Sequence, residues 1–316
     1  MKHEILGIHH ITAIAGNAKK NYDFYTRVLG LRLVKKTVNF DDPNTYHFYY
    51  GDEHGTPGSI LTFFPWEGIG TGRRGSKQVT EIGYSVPAGS LEFWQKRLEE
   101  NNVIYNKPAV KFGEKYLTFL DPDGLKFELT EAQTPDTRAQ WESKEVKKLH
   151  AIHGFHHITI TSNKIEATAA ILTGVFGYRL LTKEVNRSRY ITDTVAHAAI
   201  VDLVEAPGEA IGHIAGGSVH HVAFRVKDEE TLMYFRDQLL QLGMNITEKI
   251  DRNYFYSLYF REPGGVLFEL ATDNPGFTID EPLEELGTHL KLPVQYEPNR
   301  SIIEGILPKL DEHVSS

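Results

Sequence analysis

The sequence predicts an α+β fold in which four βαβββ modules pair into curved antiparallel or mixed sheets and form two tandem domains. One half of the chain resembles the other: "TRVLGLRLVKKTVN" (26–39) matches "TGVFGYRLLTKEVN" (173–186), and "FLDPDGLKFELTE" (119–131) matches "FREPGGVLFELAT" (260–272). Self-similarity at a nearly constant spacing indicates a duplication. The polar stretch near 131 to 148 joins the copies, which predicts domains over 1–140 and 146–316, the second with a C-terminal tail.

Each half divides again into two modules. Four segments have the pattern of half-buried strands: "GIHHITAIAG" (7–16), "QVTEIGYSVP" (78–87), "GFHHITITSN" (154–163) and "SVHHVAFRVK" (218–227). Each precedes a stretch with apolar residues at helical spacing, followed by short alternating segments that predict antiparallel strands. Because sheets twist, two four-stranded units side by side should enclose a cup. The tail from 280 onward should add a helix, packed against the cup or a neighbouring subunit.

Composition excludes several classes of function. The net charge of −8 is unfavourable for nucleic acid, and no apolar run has the length of a membrane span or the character of a signal peptide. The 316 residues include no cysteine, which rules out disulfides, thiolate metal sites and cysteine nucleophiles. Histidine, aspartate and glutamate remain as metal ligands, and the cytoplasm is the simplest location.

Paired histidines begin three of the four half-buried strands and are the main candidates for chemistry. Because alternate side chains of a strand share a face, His10 and Thr12 should point one way and His9 the other. Glu269 lies within the apolar strand "GGVLFELAT", where a carboxylate is costly unless it is paired or binds a metal. Two imidazoles and one carboxylate form the facial ligand set of non-haem Fe(II) enzymes. The candidates for such a set are His10, His221 and Glu269.

Other residues compete for the same interpretation. His157, in the third module, is an alternative to His10 as the second imidazole. In the second module, Glu81 stands where the fourth module has His221, so a matching site is not expected there. Glu128 aligns with Glu269, which indicates that the glutamate also occurs where no metal need bind.

The modules resemble the vicinal oxygen chelate superfamily, and the whole chain resembles its hydroquinone ring-cleaving dioxygenases. The matching segments are "HHIT", "FYTRVLGLRLVKKTVNF", "GTPGSILTFFPW", "GRRGSKQ", "KFGEKY", "HHVAFRV", "DRNYFYSLYFREPGGVLFE" and "GFTIDE". The resemblance implies iron ligands at His10, His221 and Glu269, whereas catechol enzymes of the superfamily would use His157 in place of His10. It also implies supporting roles around the metal for a further set of residues, namely His9, Thr12, His220, Arg252 and Tyr259.

The function expected from the resemblance is an Fe(II)-dependent ring-cleaving dioxygenase, with Mn(II) as the alternative metal. Its partners would be O2 and a small aromatic substrate of the hydroquinone or catechol type, and its task the removal of quinones and related aromatics. Two other classes remain open: a glyoxalase-like lyase or thiol transferase, and a metal-free protein that binds small molecules. The sequence is compatible with a homo-oligomer and does not specify the oligomeric state.

Overall fold

The computed structural model describes residues 2–310 and contains the four predicted modules, each a strand, a helix and three more strands. The strands are β1 (Ile8–Ala15), β2 (Arg32–Val38), β3 (Tyr46–Gly51), β4 (Ile60–Pro65), β5 (Gln78–Val86), β6 (Ala109–Lys111), β7 (Glu114–Leu120), β8 (Lys126–Glu131), β9 (Gly154–Ser162), β10 (Arg179–Glu184), β11 (Arg187–Ile191), β12 (Ile200–Glu205), β13 (Ser218–Val226), β14 (Ile250–Asp251), β15 (Phe255–Arg261) and β16 (Leu267–Pro275). The α-helices are α1 (Ala18–Asp23), α2 (Leu91–Glu100), α3 (Glu166–Gly174), α4 (Glu229–Gln241) and α5 (Arg300–Ile306).

The strands form two sheets of eight, and each sheet joins modules from opposite halves of the chain. The first sheet has the order β14-β15-β16-β13-β1-β4-β3-β2, which combines the first and fourth modules. The second has the order β10-β11-β12-β9-β5-β8-β7-β6, which combines the second and third. In both sheets the modules meet along an antiparallel pair, β1 with β13 and β5 with β9. The predicted fold class is confirmed, whereas the boundaries of the two domains stay a prediction.

The helices bury the faces that their apolar spacing predicts. In α2, Leu91, Trp94 and Leu98 are buried, and in α4, Phe235 and Leu239 are buried at matching positions. These side chains join one large apolar cluster that includes residues of all four modules. Complete burial of each such side chain stabilises the fold by about 1.5–3 kcal/mol. Within residues 2–310, no helix has the length and apolar character needed to cross a membrane.

The tail beyond β16 returns to the first module. The guanidinium of Arg32 donates to the carbonyl of Leu283 at 2.6 Å, and the buried ammonium of Lys35 donates to Asp280 at 2.6 Å. In α5, Ile303 is buried in a small apolar cluster that also contains Val38 of β2. The chain's last described segment therefore covers the β2 end of the first sheet.

Candidate metal centre

A β-bulge lies at the first histidine of each pair and brings the two rings of the pair together. Ile8 is opposite Phe224 and His10 is opposite Ala223, so β1 has one extra residue, His9. A bulge of this kind redirects a side chain that strict alternation would send to the other face. The paired rings therefore meet, with the Nδ1 atoms of His9 and His10 2.9 Å apart. His10 reaches Glu269, and His9 lies behind His10 as its hydrogen-bond partner.

The same device recurs in the other two pairs. On β13 the extra residue is His220, whose Nδ1 lies 2.8 Å from Nδ1 of His221. On β9 the extra residue is His156, and its Nδ1 lies 3.0 Å from Nδ1 of His157. Each pair thus places one imidazole behind another.

The hydrogen bonds of His9 determine the tautomer of His10. Nε2 of His9 lies 3.1 Å from the carbonyl oxygen of Thr272, which can only accept, so Nε2 carries the proton. Complete burial and the nearby His10 hold the pKa of His9 well below its usual value, so the ring is neutral and its Nδ1 accepts. His10 must then donate from Nδ1, which leaves the lone pair on its Nε2. That is the form of histidine that binds a metal.

His10, His221 and Glu269 converge at the centre of the first sheet. Oε2 of Glu269 lies 3.2 Å from Nε2 of His10 and 2.8 Å from Nε2 of His221. The other carboxylate oxygen, Oε1, accepts a hydrogen bond from the Ser257 hydroxyl. All three groups are buried, and one ligand atom of each lies within 4.8 Å of the others. His157, the alternative to His10, lies in the second sheet.

The donor set fits a divalent metal ion. Burial alone would raise the pKa of Glu269, but the two imidazoles outweigh it and hold the carboxyl ionised. Burial lowers the pKa of His221 and keeps that ring neutral. Nε2 of His221 and Oε2 of Glu269 are buried, and despite their short separation neither has a hydrogen-bond partner among the described residues. Buried atoms without a partner are costly, and a cation between them would satisfy both.

Tyr259 and Arg252, for which the resemblance implies supporting roles, lie beside this cluster. Tyr259 is directly opposite Glu269 on the neighbouring strand β15, and its ring centre is 5.5 Å from that of His221. The guanidinium of Arg252 lies 5.3 Å from the Tyr259 ring centre. Burial and the Glu269 charge raise the pKa of Tyr259, so its hydroxyl stays protonated. Burial disfavours the charge of Arg252, but Tyr259 and the nearby carboxylates raise its pKa and keep it cationic.

A hydrogen-bonded chain leads from Thr12 through Thr62 to His47 and Tyr49, and the sequence reasoning missed all three of these further residues. The Thr12 hydroxyl lies 2.8 Å from that of Thr62, which lies 3.0 Å from Nε2 of His47. Nδ1 of His47 is 3.0 Å from the hydroxyl of Tyr49. Burial and the nearby His10 hold the pKa of His47 well below its usual value, so the ring is neutral. Alternation in "TYHFYYGD" puts His47 and Tyr49 on one face of β3, and this pattern could have identified the two residues from the sequence.

The second sheet contains a cluster at the equivalent place, which the sequence reasoning also missed. Glu81 of β5, Glu128 of β8 and His157 of β9 are buried, with one ligand atom of each within 4.8 Å of the others. They align with His221, Glu269 and His10 respectively. A search for ligands within a single module could not find this cluster. Glu81 and Glu128 belong to the second module and His157 to the third, and these two modules pair in one sheet.

One family model matches both halves of the chain. It is described as the "Glyoxalase/Bleomycin resistance protein/Dioxygenase superfamily" and covers residues 7–129 and 154–270. The chain belongs to this superfamily. The predicted family membership is confirmed, and the matched ranges contain all three residues of the first cluster.

Similar proteins include some that are named as dioxygenases. The chain is 46% identical over 309 residues to "Putative ring-cleaving dioxygenase MhqO" of Bacillus subtilis, with 98% of each chain covered. It is 37% identical over 300 residues to "Chlorohydroquinone/hydroquinone 1,2-dioxygenase" of Sphingobium indicum, with 92% of each covered. A crystal structure of a "putative dioxygenase" from Bacillus subtilis matches with a TM-score of 0.93 and 44% identity, covering 99% of this chain and 100% of the other.

Proposed function

We propose that the protein is an Fe(II)-dependent ring-cleaving dioxygenase that acts on hydroquinone-type aromatics with O2. The observation that supports this most strongly is the convergence of two imidazoles and one carboxylate, with buried atoms that lack partners in the described chain. Three protein ligands would leave open positions on the metal. The names of the two relatives favour ring cleavage, and one of them favours a hydroquinone. A cytoplasmic location remains part of this proposal.

His10, His221 and Glu269 would hold a ferrous ion, which would supply open positions for the substrate hydroxyl and O2 and would mediate electron transfer between the two. Neighbouring residues of the chain orient these three ligands. His9 fixes the tautomer of one ligand through its bond to the Thr272 carbonyl. The Ser257 hydroxyl holds the carboxylate oxygen that does not face the histidines.

Residues beside the cluster would bind the substrate, donate hydrogen bonds to it and stabilise its charge. A protonated Tyr259 is a hydrogen-bond donor, and the cationic Arg252 next to it would stabilise a phenolate or a carboxylate formed on ring opening. The neutral imidazole of His220 would accept at Nδ1 from Nδ1 of His221, which leaves the lone pair of that ligand on its Nε2. The ring of Phe255, whose centre is 4.8 Å from that of His10, would help to exclude water from the site.

Anaerobic reconstitution tests the proposal. Metal-free protein is loaded with Fe(II), hydroquinone or catechol is added, and O2 is admitted while its uptake and the ring-cleaved product are measured. We expect one O2 consumed per hydroquinone cleaved, and no uptake in Glu269→Gln. Absence of uptake with both diols, in protein shown to contain iron, would contradict the proposal. Turnover of a glutathione hemithioacetal without O2 would instead identify a glyoxalase-like lyase.

A further inference from the structure

The cluster in the second sheet has the ligand types of a metal site. Nε2 of His157 lies 3.7 Å from Oε1 of Glu81 and 3.8 Å from Oε1 of Glu128. Glu128 and His157 are completely buried, and Glu81 is nearly so. The register repeats that of the first sheet: Gly83 is opposite His157 as Ala223 is opposite His10.

The ammonium of Lys111 lies among these three groups. Its Nζ is 2.5 Å from Oε2 of Glu128, 3.3 Å from Oε1 of Glu81 and 3.5 Å from Nε2 of His157. Its side chain is only 11% exposed, so the charge is held at the cluster. One cation thus contacts every member of the set, as a metal ion would.

The tautomer of His157 is the one that a metal requires. Nε2 of His156 lies 3.1 Å from the carboxylate of Glu114, which accepts, so Nε2 of His156 carries the proton. The Lys111 ammonium can only donate, so Nε2 of His157, which lies 3.5 Å from it, carries the lone pair, and Nδ1 of His157 donates to Nδ1 of His156. The Lys111 ammonium donates towards that lone pair.

Other cations surround the cluster, but they contact it from one side. Lys126 lies 2.6 Å from Oε2 of Glu81, and Arg187 lies 3.5 Å from Oε1 of the same residue. Arg189 binds both oxygens of Asp202, at 2.8 and 3.0 Å. Neither Lys126 nor Arg189 has a described contact with His157 or Glu128.

We propose that this second cavity is a cation site filled by the chain's own Lys111 ammonium, and that it accepts a divalent metal ion when the ammonium is removed. Two carboxylates and an imidazole lone pair suit Co(II), Mn(II) or Zn(II). A cavity of about 550 Å3, whose lining includes Glu81, Glu128 and Lys111, would admit the ion. Buried carboxylates that lose their cation are strongly destabilising, which provides the driving force.

Cobalt titration of variants tests this inference independently of catalysis. In a background with His10→Ala and His221→Ala, the first site is disabled and Co(II) binding should be absent. Lys111→Ala in that background should bind one Co(II) per chain, with a visible absorption band and a Co(II)-dependent rise in melting temperature. Lys126→Ala, which removes a cation from Glu81 alone, is the matched control and should bind none. Adding His157→Ala to the Lys111→Ala protein should abolish the new binding.

Two results would overturn the inference. One is a folded Lys111→Ala protein that binds no Co(II), and the other is equal binding by Lys126→Ala. If Lys111→Ala is recovered folded only from medium that contains Co(II), with one ion per chain, the inference is supported. If Lys111→Ala is not recovered folded, Lys111→Gln, which also removes the ammonium, provides a second variant for the same titration, and a folded Lys111→Gln protein that binds no Co(II) would refute the inference.

Discussion

Removal of the His9 imidazole should weaken metal binding although His9 is not proposed as a ligand. In the native protein, Nδ1 of His10 donates to Nδ1 of His9 at 2.9 Å. In His9→Ala this acceptor is lost, and the proton of the His10 ring can move from Nδ1 to Nε2. A group that orients a metal-binding histidine contributes roughly 10–100-fold to affinity. This corresponds to about 1.4–2.8 kcal/mol, since each tenfold change is about 1.4 kcal/mol. The unpaired buried donor should also cost about 1–3 kcal/mol of stability.

Competition against a calibrated chelator would measure the dissociation constant for Fe(II) or Co(II), and urea unfolding would measure stability. His156→Ala is the matched control, because His156 occupies the same bulge in the second sheet and contacts His157 in the same way. The control should lose stability while its metal affinity at the first site is unchanged. An unchanged affinity in His9→Ala, or an equal loss in both variants, would refute the tautomer argument.

Three further predictions concern individual side chains. Tyr259→Phe should lower kcat by roughly 10²–10⁴-fold while metal content, measured by mass spectrometry, is retained; loss of the metal would contradict the proposed role. Burial lowers the pKa of His220 to about 4, below the unfolded value of about 6.5, so metal-free protein should lose stability as pH falls from 6.5 towards 4. Urea unfolding of His220→Gln should show a smaller loss over that range, and an unchanged slope would be contrary to expectation. Gly83→Ala would place Cβ 2.2 Å from Nδ1 of His157, so it should destabilise the protein by about 1–3 kcal/mol, whereas Gly174→Ala, with open space at its Cβ, should not.

The fold could be predicted because its information is local and repeated. The strand-helix-strand order follows from apolar spacing, and four copies of the pattern support one another. The pairing of the first module with the fourth depends on contacts between distant segments, which periodicity does not specify. The resemblance to a known superfamily supplied that information by implying that His10, His221 and Glu269 share one site.

The parts of the site that the sequence reasoning missed have physical causes. Alternation assumes a regular strand, but the bulge at His9 breaks it and brings adjacent rings together. The contribution of His47 comes from a neighbouring strand through Thr62, and spacing within one segment does not reveal it. The cluster around Lys111 combines residues from two modules, and neither module alone has its ligand set.

Iron content and O2-coupled turnover in His10→Ala and His157→Ala would test the central claim most directly. The two histidines are equivalent in the repeat, and both are buried beside carboxylates. The account predicts that His10→Ala loses both iron and hydroquinone-dependent O2 uptake, while His157→Ala retains both. Retention of iron and turnover in His10→Ala, with loss in His157→Ala, would contradict it.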